Sequence, residues 1–208
     1  MKTPVRAATA AMAALALCAC GHSGASDSST ASAAASASQP STSKDSSAAS
    51  DGMMTLLPTG NLVIQVPGDA ITGTTATYDD GMQQTYYDSR GSIPLTVAVE
   101  YYAAGAKPAA SILTAEQQAL TAQSIQPKVT PVDVPGGSGA NRLDWQTTAI
   151  PPWLQDRKTS EVPITCAGII VDGPGGESYG VYVFADPKNK ESLNRMSSVL
   201  TSVAVSTS

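Results

Sequence analysis

Histidine is almost missing from this chain. The single one, His22, lies near the N-terminus, so everything downstream is built without an imidazole. That excludes serine–histidine and cysteine–histidine catalysis, His-ligated zinc and most proton shuttling near neutral pH from any folded part beyond it. Cysteine is scarce too. Of three, Cys18 and Cys20 stand together at the start and only Cys166 lies further on, which rules out an internal disulfide in the later region. Cys166 falls early in the apolar run TCAGIIV and reads as a buried structural thiol, because reactive thiols sit in cationic, accessible settings. Positive charge is thin: residues 53–205 hold fourteen acidic and nine basic side chains, with no basic stripe. Nucleic acid is therefore excluded as a partner, and so is direct adhesion to anionic lipid head groups. No hydrophobic run reaches the ~20 residues that a membrane-spanning helix needs.

The longest such run, Ala7 to Leu17, follows Lys2 and Arg6, the charge-then-apolar layout of an export signal. It ends in Leu17-Cys18-Ala19-Cys20, which resembles the lipobox of bacterial lipoproteins: a Leu three positions before a cysteine and a small residue just before it. Cys20 fits that pattern. Cys18 does not, because Leu17 would occupy the small-residue position. The resemblance implies that residues 1–19 are a signal peptide and that Cys20 becomes a lipidated N-terminus on the extracytoplasmic face of the cell membrane. Two or three acyl chains there would give lasting attachment, since single chains hold only marginally. A plain secreted protein is the alternative.

Residues 20–52 follow as a tether, almost wholly Ser, Ala, Thr, Gly and Asp, with no large apolar side chain to offset the entropy of ordering. A flexible spacer of this length reaches roughly 30 Å. Ser41-Thr42-Ser43-Lys44 matches the Ser-x-x-Lys spacing of penicillin-binding enzymes, but it lacks the helix and the companion motifs that such chemistry needs.

Residues 53–208 have the size of one domain. Leu62, Ile64 and Val66 alternate at strand spacing, Pro94 to Tyr102 is rich in β-branched and aromatic residues, and Asn141 to Thr148 places Leu143 and Trp145 on one side. Residues 165–185 read as a hairpin around Asp172-Gly173-Pro174-Gly175-Gly176. Tyr179, Val181 and Val183 then face one way while Gly180, Tyr182 and Phe184 face the other. Thr114 to Gln117 looks like a capping box opening a helix to about Ser124, with Ala115, Ala119, Leu120 and Ala122 inward. A second helix is expected to open at Asp186-Pro187 and to run through Leu193, Met196, Val199, Leu200 and Val203. The class is α+β, an antiparallel sheet with flanking helices.

The order of these features carries a resemblance. A strand ends in Val66-Pro67, then come a hairpin, a helix, a short strand into Val134-Pro135-Gly136-Gly137, a strand bearing Trp145, a Gly175-Gly176 turn strand, and Asp186-Pro187 before a C-terminal helix ending in Ser202-Val203. This looks like the PsbP-like fold and the Lpq-type envelope lipoproteins of actinobacteria. The resemblance implies an α/β/α sandwich used as a binding or accessory module, largely without catalytic residues.

A search for chemistry yields little. The clusters Gly136-Gly137-Ser138-Gly139 and Gly173 to Gly176 run from strand to strand, whereas phosphate loops lead into a helix N-terminus. Asp79-Asp80-Gly81 is followed by Gln83, Gln84 and Thr85 where a calcium loop would continue with acids, so it reads as a hairpin turn. No catalytic residue, metal or cofactor is expected, and an enzyme is not. Glu100 with Asp144 is a carboxylate pair whose separation would decide a glycosidase reading. For ligand or partner binding the candidates are Trp153, Tyr101 and Tyr182. Trp153 follows the stiff segment Ile150-Pro151-Pro152 and either projects from it or folds back onto the core. The expected function is a non-catalytic, membrane-anchored lipoprotein that binds an envelope protein or a small envelope ligand. The alternatives are a lipid or glycolipid carrier, disfavoured by the single phenylalanine and a small-residue helix face that suggest a filled core, and a hydrolase of cell-wall polymers.

Overall fold

A computed structural model describes residues 52–56, 61–67, 70–78, 80–88, 93–153 and 160–206. The signal segment, Cys20 and the tether up to Asp51, together with Asp79, Asp156, Arg157 and Lys158, lie outside the described residues, and Gly52 opens the first strand.

Ten strands and two helices are described. The strands are β1 (Gly52–Leu56), β2 (Leu62–Pro67), β3 (Ala70–Tyr78), β4 (Gly81–Asp88), β5 (Leu95–Tyr102), β6 (Lys128–Pro131), β7 (Ser138–Ala149), β8 (Val162–Asp172), β9 (Ser178–Ala185) and β10 (Ala204–Val205). The helices are α1 (Ala109–Ala122), between β5 and β6, and α2 (Lys190–Thr201), between β9 and β10. Seven strands form one antiparallel sheet in the order β3-β4-β5-β9-β8-β7-β6, and a smaller sheet has the order β1-β2-β10. The protein is thus an α+β fold on an antiparallel sheet, as the strand patterns predict.

Alternation along β9 builds the layers. Tyr179, Val181, Val183 and Ala185 join a core with Leu62, Ile64 and Val66 of β2 and with Met196, Val199 and Leu200 of α2. Tyr182 and Phe184 point the other way, into a core with Ala109, Ile112 and Leu120 of α1 and with Leu143, Trp145, Cys166 and Ile170. One face of the large sheet is therefore covered by α2 and the small sheet, and the opposite face by α1.

The helix starts differ from the sequence reading. Helix α1 begins at Ala109, five residues before the supposed capping box, and Thr114 lies inside it with its hydroxyl donating to the Ala110 carbonyl at 2.8 Å. Its N-cap is Pro108, which has no side chain that can accept. Asp172, at the end of β8, takes that role and accepts from the Ala109 backbone N–H at 2.7 Å. Helix α2 begins at Lys190. Asn189 caps it by accepting from Ser192 N–H at 3.0 Å, while Asp186 folds into a preceding turn whose carboxylate accepts from Lys188 N–H at 2.8 Å.

The β8–β9 turn fixes where α1 starts. Gly176 adopts φ +84°, a left-handed conformation that glycine reaches without steric cost, and its carbonyl accepts from Gly105 N–H at 3.1 Å. Ser178 donates to the Lys107 carbonyl at 2.6 Å. With the Asp172 cap, these bonds hold the approach to α1 against the tip of the central hairpin.

Candidate functional site

The face beneath α1 carries polar groups where a core is expected to be apolar. Helix α1 buries Ala109, Ile112, Glu116 and Leu120, a stripe at helical spacing with a carboxyl in the middle of it. Facing it on β5, between buried Ala98 and Tyr102, is Glu100. Glu100 and Glu116 are 2% and 4% exposed. Glu100 is paired across the sheet with Gln83 on one side and Gly180 on the other. Gln83 donates its amide N–H to Glu100 Oε1 at 3.0 Å, and the Tyr102 hydroxyl donates to Oε2 at 3.3 Å.

Tyr182 completes the cluster. It is fully enclosed, and its ring lies over two glycines: a Cβ on Gly168 would come within 2.6 Å of the ring, and one on Gly180 within 2.7 Å. Only glycine leaves room for the ring at these positions. Its hydroxyl leans on Glu116 but meets no acceptor in good hydrogen-bond geometry. Lys107 supplies the positive charge that both carboxyls feel, its ammonium 4.9 Å from the centre of the Tyr102 ring.

Burial dominates the acid–base character of the site. It pushes Glu100 up to about 7 against the pull of the Tyr102 and Gln83 hydrogen bonds and of Lys107. Burial, and then the charge of Glu100, push Glu116 up to about 8, with Lys107 and Tyr182 pulling down. Burial and the two carboxylates hold the Tyr182 and Tyr102 phenols well above their ordinary range. At neutral pH this arrangement keeps at least one proton on the pair. Glu100, with two donors, is the better anion, and Glu116 is the one that keeps its proton.

The residues singled out from sequence are distributed over both faces. Tyr182 belongs to the carboxyl cluster. Trp153 is half-buried and packs on the same α1-side core. Tyr101 is on the other face, its ring 5.7 Å from that of Tyr179. Glu100 and Asp144 are not a catalytic pair. They sit on strands three apart, a separation of roughly 14 Å at ordinary strand spacing, and Asp144 lies on the opposite face, paired with Arg142 at 2.7 Å. Cys166 is buried. Glu116 was the missed member; its signal, an acid four residues from Ile112 and four from Leu120, becomes visible only when the helix is phased from Ala109. Among the described residues no group of three or more His, Cys, Asp or Glu could hold a metal ion, and no helix is long and apolar enough to cross a membrane.

Elsewhere an open cleft of about 700 Å³ runs between β2 and α2, lined by Val63 and by uncharged polar side chains including Gln65, Asn194, Ser198 and Thr201.

The chain matches no protein-family model and no curated protein sequence. Solved structures do match. A Bacteroides thetaiotaomicron VPI-5482 protein is 9% identical with a TM-score of 0.46, over 76% of this chain and 49% of its own, so the present chain spans about half its length. The cyanobacterial PsbP protein CyanoP of Synechocystis sp. PCC 6803 is 8% identical with a TM-score of 0.50, over 79% of this chain and 98% of its own. At such identity the likeness concerns the fold alone: an antiparallel sheet with its helices arranged as in PsbP-like structures.

Proposed function

We propose that the protein is an extracytoplasmic lipoprotein of the actinobacterial Lpq type, held on the cell membrane through Cys20, whose PsbP-like domain is a non-catalytic binding or accessory module for an envelope protein or small envelope ligand. The observation that carries the binding reading is the filling of both sheet faces. Tyr179, Tyr182 and Phe184 occupy the centre of the two layers at 1% exposure or less, so recognition falls to the outer surface, including the uncharged cleft between β2 and α2. The Leu17-Cys18-Ala19-Cys20 stretch supports the anchor, and the acidic balance of the domain agrees with a tether that keeps it off anionic lipid.

The anchor is tested by expressing the full chain and its Cys20→Ser variant in an actinobacterial host and partitioning both in detergent. The native chain is expected in the detergent phase with acyl chains on its N-terminal peptide, and the variant in the aqueous phase. Equal partitioning of the two overturns the reading. A glycolipid carrier is separated by solvent extraction of the purified protein followed by mass spectrometry, where near-stoichiometric lipid would replace the accessory role. The single phenylalanine, Phe184, is spent inside the core against Trp145, which disfavours a carrier cavity.

A further inference from the structure

The carboxyl pair sits within the buried layer where α1 packs on the sheet, away from the Asp172 cap at the helix start. Besides Glu116 the helix buries Ala109, Ile112 and Leu120, with Leu113 partly buried beside them, so a carboxyl occupies one of its four fully buried positions. The ionisable and polar groups that face the pair are Gln83 from β4, Tyr102 from β5, Tyr182 from β9 and Lys107 from the segment before α1, with Tyr78 and Asp80 near the β3–β4 turn acting through Glu100 and Tyr102; β7 and β8, which also pack on α1, present the apolar Leu143, Trp145, Cys166 and Ile170 to this layer. Lys107 offers one positive charge to two carboxyls.

We propose that Glu100 and Glu116 form a proton-operated latch for helix α1: while Glu116 holds a proton the helix stays seated, and loss of that proton to solvent leaves two charges in an apolar layer, lifting the helix from Leu143, Tyr182 and Phe184. The direction follows from linkage. The seated helix holds protons more tightly than the open one, in which both carboxyls are solvated, so the seated population is greatest in acid and falls as pH rises toward and past 8. The reading does not depend on the lipid anchor, because it concerns only groups inside the domain.

The chain carries its own reporters. Its two tryptophans, Trp145 and Trp153, both pack on the α1-side core. Between pH 6 and pH 9 the full chain should show a red shift of tryptophan emission and an approximately tenfold loss of amide protection in α1, corrected for intrinsic exchange, while α2 stays protected. Glu116→Gln, neutral at every pH, should show neither change. Parallel profiles in the native chain and the variant, or α1 and α2 loosening together, would overturn the latch. Should Glu116→Gln fail to fold, carbon-13 NMR of the side-chain carboxyls in the native chain decides: titration of Glu116 in the ordinary carboxylate range rejects the proposal, and titration above neutrality supports it.

Discussion

The two faces of the large sheet are built from the same strands and do different things. Along β9 the residues that meet α2 are Tyr179, Val181, Val183 and Ala185, packed with aliphatic side chains from the small sheet. Those that meet α1 are Tyr182 and Phe184, beside two glutamates, a glutamine and a second tyrosine. The first layer is held by area, which is insensitive to solution conditions near neutrality. The second is held by area plus a proton. A single period-two alternation thus separates a passive core from a responsive one, and the responsive side is the one whose helix is capped from a distance.

The largest expected effects lie in the apolar parts of both layers. Phe184→Ala removes the ring that meets Trp145 edge-on at 6.4 Å, and Ile64→Ala removes a fully buried side chain beneath α2. Each should cost about 3–4 kcal/mol in denaturant unfolding. Only Phe184→Ala should also change the tryptophan emission of the folded state. If Ile64→Ala changed it equally, the two faces would be one cooperative layer.

Next in size is the pH dependence of the whole domain. Carboxyls raised from the usual range to about 7 and about 8 bind protons in the folded state that the unfolded chain has already released. That contribution is complete below about pH 4.5 and is lost as pH rises through the raised values, so stability at pH 8.5 should fall below that at pH 5.5 by on the order of 2–4 kcal/mol. Glu116→Gln should remove the Glu116 part of this slope and leave the part that burial gives Glu100, and Ile64→Ala should lower the profile without changing its shape. Thermal melts across that range check both.

Much of the frame was legible because strand period and turn chemistry are local. The hairpin around Gly173 to Gly176, the alternation of β9, and the strands bearing Trp145 and Ile64 follow from side chains within ten residues of each other. What could not be read is long-range. Thr114 to Gln117 imitates a helix start, while the actual start depends on Asp172, which lies 63 residues further along the chain. Placing the start at Thr114 shifted the helical phase, turned Ala115 and Ala119 inward and hid Glu116. Both are only half-buried. The pairing of β1 and β10 with β2 was equally out of reach, because two-residue β10 has no pattern of its own. Glu100 is visible in the sequence as an acid in an apolar strand, but its partner is not, since one sequence does not say which strand or helix lies beside which.

The capping difference gives a smaller prediction. Asp172→Ala removes the cap of α1 and Asn189→Ala that of α2, each for about 1 kcal/mol. The losses should differ in kind. Asn189 is local to its helix, so its removal frays the α2 N-terminus alone. Asp172 links β8 to α1, so its removal should loosen the amides of residues 107–112 and make the latch open at lower pH. Native-state hydrogen exchange of both variants distinguishes them, and equal exchange in residues 107–112 would contradict a tertiary cap.

The smallest effects belong to the surface charges, and their smallness is informative. Arg195 pairs with Glu191 one turn away on α2 at 3.2 Å, with the glutamate side chain 63% exposed. Arg195→Ala should cost no more than about 0.5 kcal/mol, because water screens the pair and two long side chains must be immobilised to form it. Arg142 grips Asp144 through two nitrogens with both side chains 36% exposed, so Arg142→Ala should cost about 0.5–1 kcal/mol. In 1 M salt the Debye length is about 3 Å, and the Arg195→Ala effect should vanish. The pH profile set by Glu100 and Glu116 should survive the same salt, because ions do not enter the layer beneath α1 while the helix is seated. A profile that flattened in salt together with the surface pairs would mean that the carboxyls are solvated, and the contrast between the two faces would be lost with them.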